Sequence, residues 1–237
     1  MKGVLLAGGT GSRLAPLTNV VNKHLLPGYD KPMVLHPLET LKRAGITDVM
    51  LVTGGEYIGR FIEFLGDGSR FDVRLTYRVQ EKAGGIAQAL GLCEEFAEGG
   101  DVSVILGDNI FSRKFVPRKS RYGCTIFLQE TDLAGARRFG SALIEGDRVT
   151  YIEEKPEHPK SLLAVPGYYI FSGEAFSIIR TLSPSARGEL EITELVDAYI
   201  RKEDCGFFMV DGFWTDAGTL DSLLQAGNYV HDESKGV

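Results

Sequence analysis

Residues 3–13 read GVLLAGGTGSR, a short apolar run that passes directly into a loop of glycines. Residues 4–7 of that run have the length and composition of a buried β-strand. Glycines after a strand let backbone N–H groups approach a phosphate without a side chain in the way, and Arg13 adds a planar set of donors for phosphate oxygens. The stretch therefore predicts an α/β fold with a phosphate-binding loop after its first strand, although a plain glycine turn also fits these residues.

Two familiar nucleotide-binding motifs do not fit this loop. The dinucleotide fingerprint GxGxxG needs a third glycine, and Leu14 stands at that position. The Walker loop ends in glycine, lysine and a hydroxyl residue, whereas Gly11 is followed by Ser12 and Arg13. A nicotinamide-dependent oxidoreductase is therefore disfavoured.

Strand-like and helix-like segments alternate outward from this loop. The predicted strands are 4–7, 49–52, 73–77, 102–106, 125–129, 149–152, 165–171 and 207–210, and the predicted helices are 35–44, 58–65, 86–96, 175–182, 192–200 and 220–230. Regular alternation in the first half predicts a mostly parallel, twisted sheet with helices on both faces. The polar tail from His231 is predicted to be frayed.

Composition limits the class of protein. The chain has 237 residues, of which 43% are hydrophobic and 24% charged, which suits one domain with a sizeable core. The net charge of −6 argues against a nucleic-acid partner. The three cysteines form no CxxC pair, and no apolar run reaches the about 7–15 residues of a secretory signal or the about 20 of a membrane span. We therefore predict a reduced, cytoplasmic protein with no membrane partner.

Acidic residues follow two of the predicted strands. In open α/β sheets ligands bind beyond the carboxyl ends of the strands, and Asp108 and Asp216 stand just after 102–106 and 207–210. Carboxylates suit Mg²⁺, which also takes substrate phosphates as ligands, so the pair predicts a metal that bridges two phosphate groups. Taken singly, each aspartate could instead cap a helix, and Lys155 could be a surface residue.

Seven stretches, in order, are similar to the motifs of the glucose-1-phosphate thymidylyltransferases, within the wider sugar nucleotidylyltransferases. They are LLAGGTGSRLAPLT (5–18), NKHLLPGYDKPM (22–33), QEKAGGIAQALGL (80–92), ILGDNIF (105–111), IEEKP (152–156), PSARGELEIT (184–193) and FWTDAGTLDSLLQAG (213–227). The resemblance runs from Gly3 to about Val230 and is closest to the shorter members of the family. It implies one Rossmann-like nucleotidyltransferase domain over 1–237, with a nucleotide-binding part at about 1–110 and a small sugar-binding lobe at about 111–230.

The same resemblance implies a role for each site residue. The nucleotide would be bound by Leu6, Gly8, Gly9, Gly11, Arg13, Gln80 and Gly85, and the sugar phosphate by Asn109, Gly140, Glu154, Lys155 and Arg187. The metal, Mg²⁺, would be held by Asp108 and Asp216, and catalysis would depend on Arg13, Lys23 and Asp108. Gly84, Phe139 and Pro166 depart from common family residues, which affects sugar choice rather than reaction type.

The implied reaction is transfer of a nucleotidyl group from dTTP to glucose 1-phosphate, with release of pyrophosphate, in a homo-oligomer. A uridylyltransferase, or an enzyme for another sugar 1-phosphate, is the alternative within the same class. A non-catalytic nucleotide-sugar sensor is the alternative from another class. Such a sensor should have lost Arg13, Lys23 or Asp108, and the sequence retains all three.

Overall fold

Strands and helices alternate along the chain because apolar runs alternate with segments of helical period. The computed structural model describes residues 1–236. Val237, the last residue of the predicted domain, lies outside the described residues. The strands are β1 (Lys2–Leu6), β2 (Asp48–Gly54), β3 (Arg74–Gln80), β4 (Val102–Leu106), β5 (Asn109–Phe111), β6 (Cys124–Glu130), β7 (Gly140–Glu145), β8 (Arg148–Glu154), β9 (Leu163–Val165), β10 (Tyr168–Phe171), β11 (Cys205–Met209) and β12 (Trp214–Asp216). The α-helices are α1 (Leu35–Arg43), α2 (Ile58–Leu65), α3 (Ile86–Gly91), α4 (Glu94–Ala97), α5 (Leu133–Arg138), α6 (Glu174–Ile179), α7 (Ile192–Ile200) and α8 (Leu220–Lys235).

Most strands join one large sheet in the order β11-β8-β7-β9-β6-β10-β4-β1-β2-β3. The four strands of the first half, β3, β2, β1 and β4, are parallel to one another. Beyond β4 the pairing changes, because β10 is antiparallel to both β4 and β6, and β7 is antiparallel to β8 and β9. The α/β fold is confirmed, with parallel pairing concentrated in the first half.

The change of pairing has a simple cause in the connections. Parallel neighbours need a crossover, and helices α1, α2 and α3 supply crossovers in the first half. The turn between β7 and β8 contains only Gly146 and Asp147, and a turn that short can join only antiparallel strands. Strand β7 was not predicted from the sequence.

Helices cover both faces of the sheet, as predicted. One face packs against α1 and α2 through residues such as Leu41 and Phe61, and the other packs against α3, α6 and α7. The central strand β1 contributes to both cores, because Val4 faces one and Leu5 the other. Burial on both faces explains why this strand is a continuous apolar run.

A second, two-stranded sheet lies beside the large one. Strands β5 and β12 pair antiparallel, and the register sets Asp216 opposite Asn109. The side chains of Met33, Ile110, Ala217, Ala226 and Val230 form a small separate core that joins this sheet to α8. The two predicted metal-binding aspartates, at positions far apart in the sequence, are thereby brought side by side.

The prediction for the polar tail was wrong. Helix α8 continues past His231 to Lys235, and Gly236 ends it in the left-handed conformation with a φ of 73°. Glu233 fixes the last turns, because its carboxylate accepts hydrogen bonds from the Tyr229 hydroxyl and from the Arg113 backbone N–H. A polar sequence can therefore remain helical here through side-chain contacts with the preceding turn and a neighbouring loop.

Two other predicted elements are interrupted. The helix predicted at 86–96 consists of α3 and α4, separated at Leu92 and Cys93 just after Gly91, a residue that weakens helices. The strand predicted at 165–171 is divided into β9 and β10, because Pro166 lacks the N–H that a central strand requires.

Candidate active site

The glycine loop lies beyond the carboxyl end of β1 and packs closely against two side chains. A Cβ atom on Gly8 would lie 2.5 Å from Oε1 of Gln80, and one on Gly9 would lie 3.2 Å from Nζ of Lys23. A side chain at position 8 would displace the Gln80 amide, and one at position 9 would press against the end of Lys23. Gly11 shapes the loop with a φ of 70°, and Thr18 donates a hydrogen bond to its carbonyl oxygen.

A cavity of about 220 Å³ opens next to this loop. Its walls include Leu6, Gly8, Gly9, Gln80 and Gly85 from the predicted nucleotide site, together with Lys23 and Asp108. Gly11 and Arg13 do not line this cavity. The predicted nucleotide residues Leu6, Gly8 and Gly9 therefore lie beside Gln80 and Gly85, which are more than 70 positions further along the chain.

Asp108 is buried at the floor of this cavity and is paired with Lys23. The Lys23 ammonium lies 2.5 Å from Oδ2 of Asp108, and the Asn109 amide donates to Oδ1 over 3.0 Å. Burial opposes ionisation of the carboxyl, but the adjacent Lys23 charge outweighs it and holds the pKa of Asp108 well below its usual range. The carboxylate is therefore ionised, which is the form in which its oxygens could bind a metal ion in place of Lys23.

Asp216 is also buried, and it contacts two arginines. Arg138, at the end of α5, donates a short hydrogen bond to Oδ1, and Arg13 lies 4.0 Å from Oδ2. Burial and the nearby charge of Asp108 raise the pKa of Asp216, while Arg138 opposes that rise. Arg138 was not predicted as a site residue.

The two aspartates face one small space beside Gly218. A Cβ atom on Gly218 would lie 3.0 Å from Oδ2 of Asp216 and 3.7 Å from Oδ2 of Asp108. A side chain at position 218 would therefore contact both carboxylates and the Arg13 guanidinium, whose Nη2 lies 3.1 Å from the same Cβ position. Within residues 1–236 no cluster of three or more histidine, cysteine or acidic side chains is arranged to hold a metal ion. A pair of carboxylates suits Mg²⁺, which commonly completes its coordination with waters and substrate phosphates.

A second cavity, of about 150 Å³, adjoins the first and shares Ile86, Leu106 and Asp108 with it. Its walls include Arg13, Asn109, Arg138, Gly140, Glu154, Lys155, Trp214 and Asp216. Oδ1 of Asn109 accepts hydrogen bonds from the Gly167 N–H over 2.9 Å and from the Trp214 indole over 2.7 Å, which fixes the amide. Four of the five residues predicted to bind the sugar phosphate therefore line one cavity.

The fifth residue, Arg187, lies in an open groove that also borders Glu154 and Lys155. Its guanidinium contacts Glu191 through two hydrogen bonds of 2.8 and 3.1 Å, which hold it in place. Lys155 has a φ of 45°, which is unusual for a residue with a side chain. The left-handed backbone conformation of Lys155 is consistent with a functional role, because strained residues concentrate at functional sites.

Sequence reasoning missed four residues of this region: Arg138, Trp214, Glu191 and Gln88, which contacts Gln80. Trp214 lies inside a stretch already linked to the family, so its indole N–H was a signal that could have been used. The pairing of Arg138 with Asp216 spans 78 positions and had no local signal.

Comparison with known proteins assigns the chain to a family. The sequence profile described as nucleotidyl transferase matches residues 2–233. The chain belongs to this nucleotidyl transferase family. A glucose-1-phosphate thymidylyltransferase from Actinoplanes sp. is 43% identical, over 100% of this chain and 81% of the relative, and one from Neisseria meningitidis is 41% identical, over 97% and 82%.

Solved structures agree with that assignment. A chain from Bacillus anthracis that is assigned as a glucose-1-phosphate thymidylyltransferase, solved with sucrose, superposes with a TM-score of 0.91 at 49% identity. The superposition includes 98% of this chain and 96% of the Bacillus anthracis chain. A UDP-glucose pyrophosphorylase with a TM-score of 0.84 and 22% identity shows the same fold. This nucleotidyl transferase is thus an enzyme of the glucose-1-phosphate thymidylyltransferase type. Within residues 1–236, no helix is long and apolar enough to cross a membrane.

Proposed function

We propose that this nucleotidyl transferase joins the thymidylyl group of dTTP to glucose 1-phosphate, giving dTDP-glucose and pyrophosphate. The observation that carries the proposal is the meeting of two adjoining cavities at Asp108, with Lys23 on one side and Asp216 on the other. One cavity suits a nucleotide and the other a sugar, so the reacting phosphates would meet between them. The names of the relatives support the choice of dTTP and glucose 1-phosphate.

The chemistry requires positioning and charge rather than a general base. An oxygen of the sugar phosphate attacks the α-phosphorus of dTTP, and the bond to the pyrophosphate oxygen breaks. Because the attacking oxygen is already anionic, no proton has to be removed first. Lys23 and Arg13 would stabilise the negative charge on the transferred and leaving groups, and the backbone N–H groups of the glycine loop would orient the triphosphate.

A divalent ion, Mg²⁺, is the cofactor that the two carboxylates fit. Asp108 and Asp216 would hold it in the space that Gly218 leaves open, where it would neutralise charge on neighbouring phosphate groups. Both carboxylates contact cations of the chain, Lys23 and Arg138. These cations would turn to phosphate oxygens as the substrates enter.

The sugar phosphate would be held by the second cavity and its groove. Asn109, Gly140 and Glu154 would contact the glucose, and Lys155 and Arg187 would hold the phosphate group. A cation on the attacking phosphate is needed, because that group and the triphosphate would otherwise repel each other. The proposed division places the nucleotide-binding part at about 1–110 and the sugar-binding part at about 111–230, with Asn109 at the border between them.

We also propose a homo-oligomer in the cytoplasm, where nucleoside triphosphates are made, with no nucleic-acid partner. Sedimentation of the purified chain tests the oligomer, and a single species of 25.9 kDa would contradict it.

A pyrophosphate-release assay tests the reaction. Four triphosphates, dTTP, UTP, dCTP and ATP, are each combined with glucose 1-phosphate, galactose 1-phosphate and mannose 1-phosphate at saturating Mg²⁺. We expect the highest kcat/KM for dTTP with glucose 1-phosphate. A preference for UTP would instead identify a uridylyltransferase, and no release with any pair would refute the proposal.

A further inference from the structure

Arg138 is the cation that pairs with one of the two carboxylates proposed to bind the metal. It is the last residue of α5, and its Nη2 donates a short hydrogen bond to Oδ1 of Asp216 and a second one, of 3.3 Å, to Oγ of Ser222. The guanidinium carbon also lies 5.1 Å from the centre of the Phe139 ring. Arg138 therefore has a defined place beside Asp216, between two side chains that hold it there.

The contact with Asp216 uses only part of the guanidinium. A carboxylate can accept from Nε and a terminal nitrogen together, and Glu191 holds Arg187 in this way, over 3.1 and 2.8 Å. Arg138 donates to Asp216 through Nη2 alone, and its Nε is buried and donates to no group within residues 1–236. Arg138 thus gives up one hydrogen bond when it leaves its carboxylate, whereas Arg187 would give up two.

The two cavities divide the cations that are hydrogen bonded to the aspartates. Lys23 lines the first cavity, proposed for the nucleotide, and Arg138 lines the second, proposed for the sugar phosphate. The wall of the second cavity also includes Lys155, which lies 3.1 Å from Glu154. Arg138 is therefore the cation on the side of the attacking phosphate.

Arg138 and the proposed metal ion would compete for the same carboxylate. Oδ1 of Asp216 accepts from Arg138, and Oδ2 faces the space beside Gly218. A divalent ion beside Oδ2 would repel the guanidinium and weaken its attraction to Asp216. A phosphate dianion in the second cavity would offer the displaced guanidinium two oxygens in the geometry that arginine prefers.

We propose that Arg138 is a further catalytic residue, which pairs with Asp216 in the free protein and holds the attacking phosphate once a metal ion has taken its place. The inference rests on the proposed nucleotidyl transfer, because it concerns the sugar phosphate of that reaction. Arg138 exchanges one anion for another and keeps its proton throughout. It therefore lowers the affinity of the free protein for the metal and raises the affinity for the sugar phosphate.

Arg138→Gln tests both effects, because it removes the charge while its amide can still donate to Asp216 and Ser222. Mn²⁺ titration of the free protein, followed by electron paramagnetic resonance, measures metal binding without turnover. The dissociation constant for Mn²⁺ should fall about fivefold or more, because a competing cation is lost. KM for glucose 1-phosphate should rise about tenfold or more, since a hydrogen bond between charged groups is lost, with a much smaller change in KM for dTTP. The two affinities move in opposite directions, whereas a distorted site would weaken both.

Three other variants separate the role of Arg138 from a general effect of charge. Arg138→Lys keeps the positive charge, so its Mn²⁺ affinity should stay near that of the unchanged protein. Arg137→Gln removes the exposed neighbouring charge and should change neither constant. Lys155→Met should raise KM for glucose 1-phosphate without tightening Mn²⁺ binding, because Lys155 pairs with Glu154.

A measurement on the unchanged protein needs no substitution. Glucose 1-phosphate should tighten Mn²⁺ binding, because its phosphate accepts the arginine that the ion displaces, and the effect should be lost in Arg138→Gln. If the unchanged protein releases no pyrophosphate with any pair of substrates, the proposed function fails. The Mn²⁺ titrations with and without glucose 1-phosphate still decide the role of Arg138 in that case.

Three results would overturn the inference. Mn²⁺ binding to Arg138→Gln that is no tighter than to the unchanged protein would show that Arg138 does not compete for Asp216. Tighter Mn²⁺ binding with an unchanged KM for glucose 1-phosphate would show that Arg138 does not reach the attacking phosphate. Mn²⁺ binding to the unchanged protein that glucose 1-phosphate does not strengthen would show that the arginine is not exchanged.

Discussion

At the scale of single residues, Asp108 is the most exacting test of the site. Asp108→Asn preserves the shape of the side chain and removes the charge that pairs with Lys23 over 2.5 Å. We expect turnover to fall by about 10²–10³-fold, the size of effect seen when one charge-stabilising group is lost from an active site. Pyrophosphate release at saturating Mg²⁺ measures it, and wild-type turnover would contradict the assignment.

A matched change and a double variant sharpen this test. Asp72→Asn removes an exposed carboxylate that pairs with Lys42 and should leave turnover unchanged. Asp216→Asn should resemble Asp108→Asn, and the double variant should lose less than the two effects combined, because both carboxylates would hold the one proposed ion.

Lys155 tests the other substrate. Its side chain is half exposed and lies 3.1 Å from Glu154 at the edge of the second cavity. We expect Lys155→Met to raise KM for glucose 1-phosphate about tenfold or more with a much smaller effect on KM for dTTP, since its charge would contact only the attacking phosphate. Steady-state kinetics with each substrate varied in turn measures the two constants. Equal increases would place Lys155 elsewhere in the site.

His24 gives the fold a dependence on pH. The ring is buried beside Lys23, and burial is the main reason that its pKa falls to about 3. The unfolded chain, with a histidine pKa of about 6.5, then binds more protons than the folded chain between these two values. The contribution to the free energy of unfolding is fully present above about pH 6.5 and falls by about 2 kcal/mol on going to pH 5.

Urea unfolding at pH 7.5 and pH 5 measures this dependence. His24→Gln should show a smaller loss of stability between the two pH values than the unchanged protein. His158→Gln, at an exposed position, should keep the full loss. An unchanged pH dependence in His24→Gln would show that other groups cause it.

At the scale of elements, the turn from β12 into α8 controls the space between the aspartates. Gly218 precedes Thr219, which caps the helix by accepting from the Ser222 N–H over 3.2 Å. Gly218→Ala would place a methyl group 3.0 Å from an Asp216 oxygen. We expect a lower apparent affinity for Mg²⁺ and lower turnover with little change in Tm.

Gly227 supplies the control on the same helix. A Cβ there meets no atom within 4 Å, so Gly227→Ala should keep full activity and stabilise α8 by about 0.5–1 kcal/mol. Thermal unfolding and Mg²⁺ titrations of both variants distinguish the two effects. Equal activity in the two alanine variants would mean that the space beside Gly218 is not used.

The sequence predicted a strand or helix correctly where the local pattern of apolar residues is enough to determine it. The apolar run of β1, buried on both faces, and the periodic helices α1, α2 and α7 needed no distant partner to be recognised. Strand β7 was missed because its buried half, Gly140 to Ala142, consists of small residues that form no apolar run, and its pairing with β8 and β9 depends on tertiary contacts. Helix α8 was predicted too short because the contacts of Glu233 lie outside the apolar pattern.

At the scale of the whole molecule, the sequence predicted which residues gather at the site, but it did not predict which side chains contact one another there. Residues that follow strand ends gather at one edge of a sheet, so Asp108 and the glycine loop could be placed together from sequence alone. The position of Arg138 depends on α5 meeting the separate β5–β12 sheet, which no pattern in the sequence specifies. The resemblance to a family implied roles for residues, and only the fold shows which cation pairs with each carboxylate.

The pairing of Asp108 with Lys23 and of Asp216 with Arg138 has a consequence for how the substrates enter. Lys23 can contact a phosphate only when another positive charge replaces it at Asp108. A metal ion at Asp108 is favoured, in turn, only when a phosphate is present to pair with Lys23. The affinities for Mg²⁺ and dTTP should therefore be linked, each ligand strengthening the other by about 1–3 kcal/mol. Titration calorimetry of dTTP with a chelator and with Mg²⁺ measures this coupling, and equal affinities would contradict it. Without ligands, the charges of the two carboxylates are balanced by cations of the chain itself, so the proposed metal and nucleotide would replace these internal ion pairs together.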